Sequence, residues 1–267
     1  IEEQVSDPTD PTEWSRWGRA EMAQVLDSYR QSVAAFARSR MPDVWPSELH
    51  VAVDCGNGMG ALATPQILRS LGVTVHDLNS NVDGHFPARP SKPTDAAIST
   101  LRRFVRDNSV DFGIAHDGDA DRIVLVDGGG EVVHEDSVVA MLAEHYVVES
   151  DSHDPVVITT PNASGRIDDR VETVGGRVER TALGAVPDGI ARASQDGTDV
   201  VFAAEPWKHI HPALGGWVDG IASAAILVGL IESAGGLDRL RTDIIERPYR
   251  KLSVECPEDR KASAMDR

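Results

Sequence analysis

Apolar residues recur along this chain in two rhythms. Between Glu13 and Arg40 they fall at Trp17, Met22, Val25, Leu26, Tyr29, Val33 and Phe36, a three-to-four spacing that predicts one helix face. Pro42 and Pro46 end that segment. Residues 1–12 carry Asp7, Pro8, Asp10 and Pro11 and read as a linker, with Asp10 or Thr12 placed to cap the helix. Short apolar runs then alternate with helical ones. His50–Cys55 reads as a strand closing on Gly56-Asn57-Gly58-Met59-Gly60. Ala61–Leu71 reads as a helix stopped by Gly72, and Val73–Leu78 as a second strand. A strand–turn–helix–strand unit predicts parallel pairing. After the turn-rich stretch 79–94, Thr94 caps a helix through Leu101 and Val105. Phe112–His116 and Ile123–Val126 are strands three and four, with a turn at Asp127-Gly128-Gly129-Gly130.

The same rhythm then repeats. Helices are expected at Ser137–Val147, Gly165–Val174 and Asp188–Gln195, and strands at Val156–Thr160, Val178–Thr181 and Val200–Ala203. Asp219–Ser233 is a long apolar helix. Its longest apolar run, near Ile221–Ile231, contains Ser223 and Gly229 and is too short to span a bilayer. Beyond Pro248, Leu252–Cys256 reads as a new strand, with a helix starting near Lys261. The expected class is α/β: two consecutive three-layer α/β/α domains with mixed, largely parallel sheets, plus the stub of a further domain. The expected boundaries are a linker at 1–12, domains at 13–130 and 131–247, and the stub at 248–267.

Charge narrows the partners. The chain has 267 residues, with 43 acidic against 26 basic and a formal net charge of −17. A nucleic acid and an anionic membrane surface both call for a basic footprint, so neither is an expected partner. Lysine occurs only at Lys92, Lys208, Lys251 and Lys261, and Asp outnumbers Glu. Surfaces of this kind are those of proteins from salt-accumulating microbes; an acidic mesophile enzyme is the plainer alternative. Only two cysteines occur, Cys55 and Cys256, far apart in sequence; they give no disulfide framework and no metal-ligand spacing, and a reducing cytoplasm is the default location. The opening Ile1-Glu2-Glu3 has no signal-peptide character and suggests a fragment.

The sharpest chemical signal is Asp117-Gly118-Asp119-Ala120-Asp121-Arg122. Three carboxylates alternate in a tight loop between two apolar strands, and their joint ionisation is unfavourable unless a cation sits among them. Hard oxygen ligands in this arrangement suit Mg²⁺, and Arg122 can reach a phosphate beside it. A calcium EF-hand loop would need Gly at the sixth position and Glu at the twelfth, where Arg122 and Gly128 stand. An aspartyl-phosphate phosphatase would make Asp117 the nucleophile and Asp119 the acid/base. An idle acidic turn is the remaining possibility. Gly56–Gly60 lacks the G-x-G-x-x-G spacing of a dinucleotide site and reads as a tight turn. His209 and His211 have no third metal ligand near them in sequence.

Residues 117–122 resemble the metal loop of the α-D-phosphohexomutases, the phosphoglucomutase/phosphomannomutase/phosphoglucosamine mutase family. Other stretches agree in order. Val53–Gly60 resembles the opening of that family's second domain, and Asp83-Gly84-His85-Phe86-Pro87 its D-G-x-F-P stretch. Arg180-Thr181-Ala182-Leu183-Gly184 resembles its R-T-x-V-G stretch, and Asp219-Gly220-Ile221 its D-G-I turn. The sugar-recognition pattern G-E-x-S-G-H corresponds to Ala204-Glu205-Pro206-Trp207-Lys208-His209, with Trp207 and Lys208 replacing the small Ser and Gly.

The resemblance implies phosphoryl transfer between O1 and O6 of a hexose phosphate through a hexose 1,6-bisphosphate and a phosphoserine. Asp117, Asp119 and Asp121 would then hold Mg²⁺ and Arg122 would contact phosphate. Glu205, Lys208, His209, Arg180, Thr181 and Gly184 would face the substrate. No T-A-S-H-N-P-like stretch supplies the serine; Ser164 in Asn162-Ala163-Ser164-Gly165 is the nearest imitation. The Arg/Ser/Gly/Thr-rich phosphate loop of the family's last domain is also missing. The sequence therefore reads as domains two and three of a four-domain enzyme, from a halophilic archaeon and inactive alone. A truncated relative that binds metal or phosphosugar without catalysis, and the Asp-nucleophile phosphatase, are the alternatives.

Overall fold

The computed structural model describes residues 13–245, 247, 248 and 254–265. The expected linker at 1–12, with its capping candidates, and Leu252 and Ser253 lie outside the described residues. Val254–Cys256 is not a strand, against expectation.

Two four-stranded sheets share one topology. The first contains β1 (His50–Asp54), β2 (Thr74–Leu78), β3 (Phe112–His116) and β4 (Ile123–Asp127), in the order β2-β1-β3-β4. Strand β1 pairs parallel with β2 and β3, and β4 closes the edge antiparallel to β3. The second contains β5 (Val156–Thr159), β6 (Arg177–Arg180), β7 (Val200–Glu205) and β8 (Lys208–Ile210), in the order β6-β5-β7-β8. Its pairing repeats the first, with β8 as the antiparallel edge. The predicted class is borne out: two α/β units with mixed, largely parallel sheets. Strand β8 was not expected, because three residues after a turn carry too little pattern to announce a strand.

The helices are α1 (Leu26–Arg40), α2 (Thr64–Ser70), α3 (Ser99–Asp107), α4 (Glu135–Val148), α5 (Arg166–Thr173), α6 (Val186–Gln195), α7 (Gly220–Ala234), α8 (Leu237–Leu240) and α9 (Lys261–Met265). Helix α1 starts thirteen residues later than its periodicity predicts. Among the described residues only a 3-10 turn, Trp14–Arg16, precedes it. The reason is packing: Trp17, Met22 and Val25 are exposed, and an apolar stripe that is not buried gains little from forming a helix.

Alternation along the strands divides the core. Val51, Val53, Ile114 and Leu125 face a large cluster, while Ala52, Ala115, Val124 and Val126 face Ile98, Leu101 and Val105 on the other side. In the second sheet Val157, Phe202 and Ala204 join that same large cluster. Val156, Ile158 and Ala203 instead meet Val186 and Ala193 of α6. One continuous core thus runs between the two sheets. Helix α7 lies within it, buried from Gly220 to Ile231, and packs on α1, α2 and β4 as well as β8. Among the described residues no helix is long and apolar enough to cross a membrane.

The edge strands β4 and β8 meet. Arg122 and Lys208 form an isolated antiparallel bridge, and the Ile123 N–H donates to the Trp207 carbonyl at 3.1 Å. This junction brings the acidic loop of the first unit to the β7–β8 hairpin of the second.

Candidate functional site

The acidic loop links β3 to β4. One carboxylate oxygen from each of Asp117, Asp119 and Asp121 lies within 4.8 Å of the others, and this is the only such grouping among the described residues. Ala120 has a φ of 61°, a conformation uncommon outside glycine, which fits a loop shaped to turn its acids together. Asp117 is buried and Asp119 exposed. Burial first, then the charges of Asp121 and Asp119, push the Asp117 carboxyl up to about 6; the Arg122 backbone N–H, donating to Asp117 Oδ1 at 3.1 Å, opposes that rise. Asp121 Oδ1 is buried without a hydrogen-bond partner. A buried carboxylate oxygen without a hydrogen bond is costly, and a bound cation is a group that would satisfy it.

The loop rests on a built support. His116, fully buried, holds Thr64 Oγ1 at 3.0 Å through Nε2 and the Arg122 carbonyl at 2.9 Å through Nδ1. Its burial pushes its pKa down, favouring the neutral ring. Arg89 donates to the His116 carbonyl at 2.6 Å. The Met59 N–H donates to the Gly118 carbonyl at 2.9 Å. Gly58 and Gly220 are needed for close approach. A Cβ on Gly58 would lie 2.5 Å from the Gly118 oxygen, and one on Gly220 would lie 2.7 Å from the Ala120 oxygen. The Phe86 ring lies against Gly118, so the Asp83–Pro87 stretch backs the acidic loop. The Gly56–Gly60 turn is committed to the same support, and strands rather than EF-hand helices flank the acids.

Of the residues expected to face substrate, the structure brings several together. Glu205, at the end of β7, accepts from the Gly184 N–H at 2.7 Å, so the 180–184 and 204–209 stretches meet. Lys208 pairs with Glu205 across the hairpin and sends its ammonium to Asp121 Oδ2. Pro206 followed by Trp207 at φ 69° fits a type II turn, which needs a positive φ at its third residue. Arg122 faces the acids, its Nη1 3.4 Å from Asp117 Oδ2 and its Nε 3.8 Å from Asp121 Oδ1. Thr181 is buried and its Oγ1 accepts from Arg192 at 3.0 Å. Arg180 is doubly bonded to Asp168, at 2.7 and 2.6 Å, which raises its own pKa and lowers that of Asp168.

His209 requires a correction. It is expected at the substrate face, but it is buried. Its Nδ1 lies 3.0 Å from Ser223 Oγ, and its Nε2 has no hydrogen-bond partner. The 204–209 stretch is a hairpin rather than a loop, so side chains alternate; with Lys208 turned toward Asp121, His209 turns into the core. Sequence reasoning also missed Arg89 and Thr64. Both are single polar residues without a motif, and only the third dimension shows what they support.

Residues 27–130 match the family model described as phosphoglucomutase/phosphomannomutase, alpha/beta/alpha domain II. The chain is 41% identical over 221 residues to the phosphopentomutase of Thermococcus kodakarensis, covering 83% of this chain and 48% of that protein. It is 39% identical over 221 residues to the probable phosphoglucosamine mutase of Methanopyrus kandleri, covering 81% and 47%. The chain therefore spans about half the length of the curated relatives it matches. A solved phosphoglucomutase/phosphomannomutase family protein from Burkholderia thailandensis superposes with a TM-score of 0.73 at 19% identity, covering 92% of this chain and 51% of that one, a likeness of fold. The family-model match and the sequence relatives support the phosphohexomutase superfamily.

Proposed function

We propose that this chain is the central pair of domains, at 13–130 and 131–247, of a phosphohexomutase. Such an enzyme moves a phosphoryl group between O1 and O6 of a hexose phosphate by way of a hexose 1,6-bisphosphate. The observation that carries the reading is the acidic loop, with an Asp121 oxygen that accepts no hydrogen bond, joined by Lys208 to the Glu205 hairpin. Asp117, Asp119 and Asp121 suit a hard divalent ion, and Mg²⁺ is the ion we assign. When bound it supplies positive charge to the phosphoryl group in transfer. Arg122 and Lys208 add cationic donors for phosphate, and Glu205 accepts hydrogen bonds from sugar hydroxyls. Arg180 and Thr181 position the 180–184 stretch, and Gly184 orients Glu205. His209, buried behind the hairpin against Ser223, supports it from the core. The phosphoserine comes from outside this chain, which alone does not turn over. The acid-rich, lysine-poor composition fits a salty cytoplasm.

A second reading concerns the sugar. The Thermococcus kodakarensis relative is named a phosphopentomutase, and Trp207 stands where the hexose pattern has a small residue. A pentose phosphate, with O5 in place of O6, fits the same chemistry.

Calorimetric titration of the chain with glucose 1,6-bisphosphate and ribose 1,5-bisphosphate, with Mg²⁺ and then with EDTA, tests both readings. The tighter ligand names the sugar class. Binding of neither sinks the mutase reading. Hydrolysis of a phosphosugar that vanishes in Asp117→Asn would favour the phosphatase.

A further inference from the structure

Lys208 stands where the acidic loop calls for a cation. Its ammonium bonds Asp121 Oδ2, and both side chains are more than two-thirds buried. The contact is not a chance reach of a long side chain. The backbones of Arg122 and Lys208 are bridged, and Ile123 is hydrogen-bonded to Trp207, so the fold delivers position 208 to the loop. The positive φ of Trp207 after Pro206 shapes the hairpin that makes that delivery. Lysine fits a temporary role. It is a compact charge on a flexible stem, whereas Arg would grip the carboxylate in a planar fork. It also leaves Asp121 Oδ1 without a hydrogen-bond partner, so the acids are only partly satisfied.

We propose that Lys208 is a displaceable internal cation of the acidic loop. It occupies Asp121 in the metal-free chain, competes with a divalent ion for that carboxylate, and leaves it when the ion binds. Its departure couples metal loading in the first unit to the β7–β8 hairpin of the second. The freed ammonium remains on that hairpin, paired in register with Glu205, where it can take up an anionic group. The inference rests on the reading of Asp117, Asp119 and Asp121 as metal ligands.

The test is Mn²⁺ binding at low ionic strength, read from the EPR signal of the free ion, with Mg²⁺ as competitor. Lys208→Met should bind Mn²⁺ about fivefold more tightly than the native chain, the scale of a part-exposed ion pair. Lys208→Gln should do the same, which guards against a folding defect peculiar to Met. Lys208→Arg keeps the charge and should not bind more tightly than the native chain. If the native chain binds and Met and Gln leave the affinity unchanged, or if Arg tightens it as much as they do, the internal-cation role is overturned and the metal site stands. If neither the native chain nor any variant binds, the metal reading fails and takes this inference with it.

Discussion

Arg89 and Asp54 form a buried ion pair, Nε to Oδ2 at 2.8 Å, directly behind the acidic loop. The same guanidinium holds the Asp54 and His116 carbonyls, so it ties the end of β1 to the residue before Asp117. Removing one partner of such a pair leaves an uncompensated buried charge, worth about 3–5 kcal/mol. Arg89→Met should therefore lower the stability of the chain by about 3 kcal/mol in urea denaturation. It should also weaken metal binding, because the strut on the His116 carbonyl is lost. A loss below about 1 kcal/mol would show that water reaches Asp54.

Asp119 is the exposed member of the three acids. Asp119→Ala should cut divalent-ion affinity by at least about a hundredfold, since a direct ligand costs more than its supports do. The fold should persist. The metal-free variant should melt at the native temperature or slightly above it, because one of three repelling charges is gone. Calorimetry with Mg²⁺ and a thermal melt check the two halves separately. Undiminished binding would remove Asp119 from the ligand set.

The net charge of −17 predicts a salt response. Self-repulsion among surface acids weakens as the Debye length falls from about 10 Å at 0.1 M to about 3 Å at 1 M. Raising KCl from 0.1 to 2 M should lift the melting temperature by about 5–10 °C, equivalent to a few kcal/mol for a chain of this size. A flat or falling curve would favour the acidic mesophile reading.

Much of this architecture is legible from periodicity, because β1, β3 and β4 are short apolar runs closed by Gly- and Asp-rich turns. The acidic loop is legible for a different reason: three like charges at alternate positions are chemically improbable without a purpose. Two of the misses come from the limits of periodicity. Periodicity reports an apolar face but not whether the fold buries it, so Trp17 and Met22 predict a helix that their exposed segment does not form. It also does not show that His209 belongs to a strand, where parity decides which side a residue faces. Arg89 is invisible in sequence because its role is defined by Asp54 and His116, 35 and 27 positions away.

His209 and His211 lie fully inside the core and share Ser223 Oγ, at 3.0 and 2.9 Å; His211 Nδ1 also meets Tyr146 OH at 2.7 Å. Burial pushes His209 down to about 3, with the neighbouring His211 adding to it, and burial lowers His211 as well. In the unfolded chain both titrate near 6.5. The folded state therefore holds them neutral, and the unfolded state takes up protons first as pH falls. Their contribution is fully present above about pH 6.5 and is lost progressively on acidification toward their folded values. Each approaches a cost of about 1.4 kcal/mol per pH unit once the pH is well below 6.5, so about 3 kcal/mol should disappear between pH 6.5 and 5. Asp117 opposes this loss below about 6, since its raised carboxyl gains protons in the fold before it does in the unfolded chain. Urea denaturation across pH 7.5 to 5 measures the net slope. Replacing His209 with Phe should reduce that slope by about one proton. An unchanged slope would mean that His209 is protonated in the folded core.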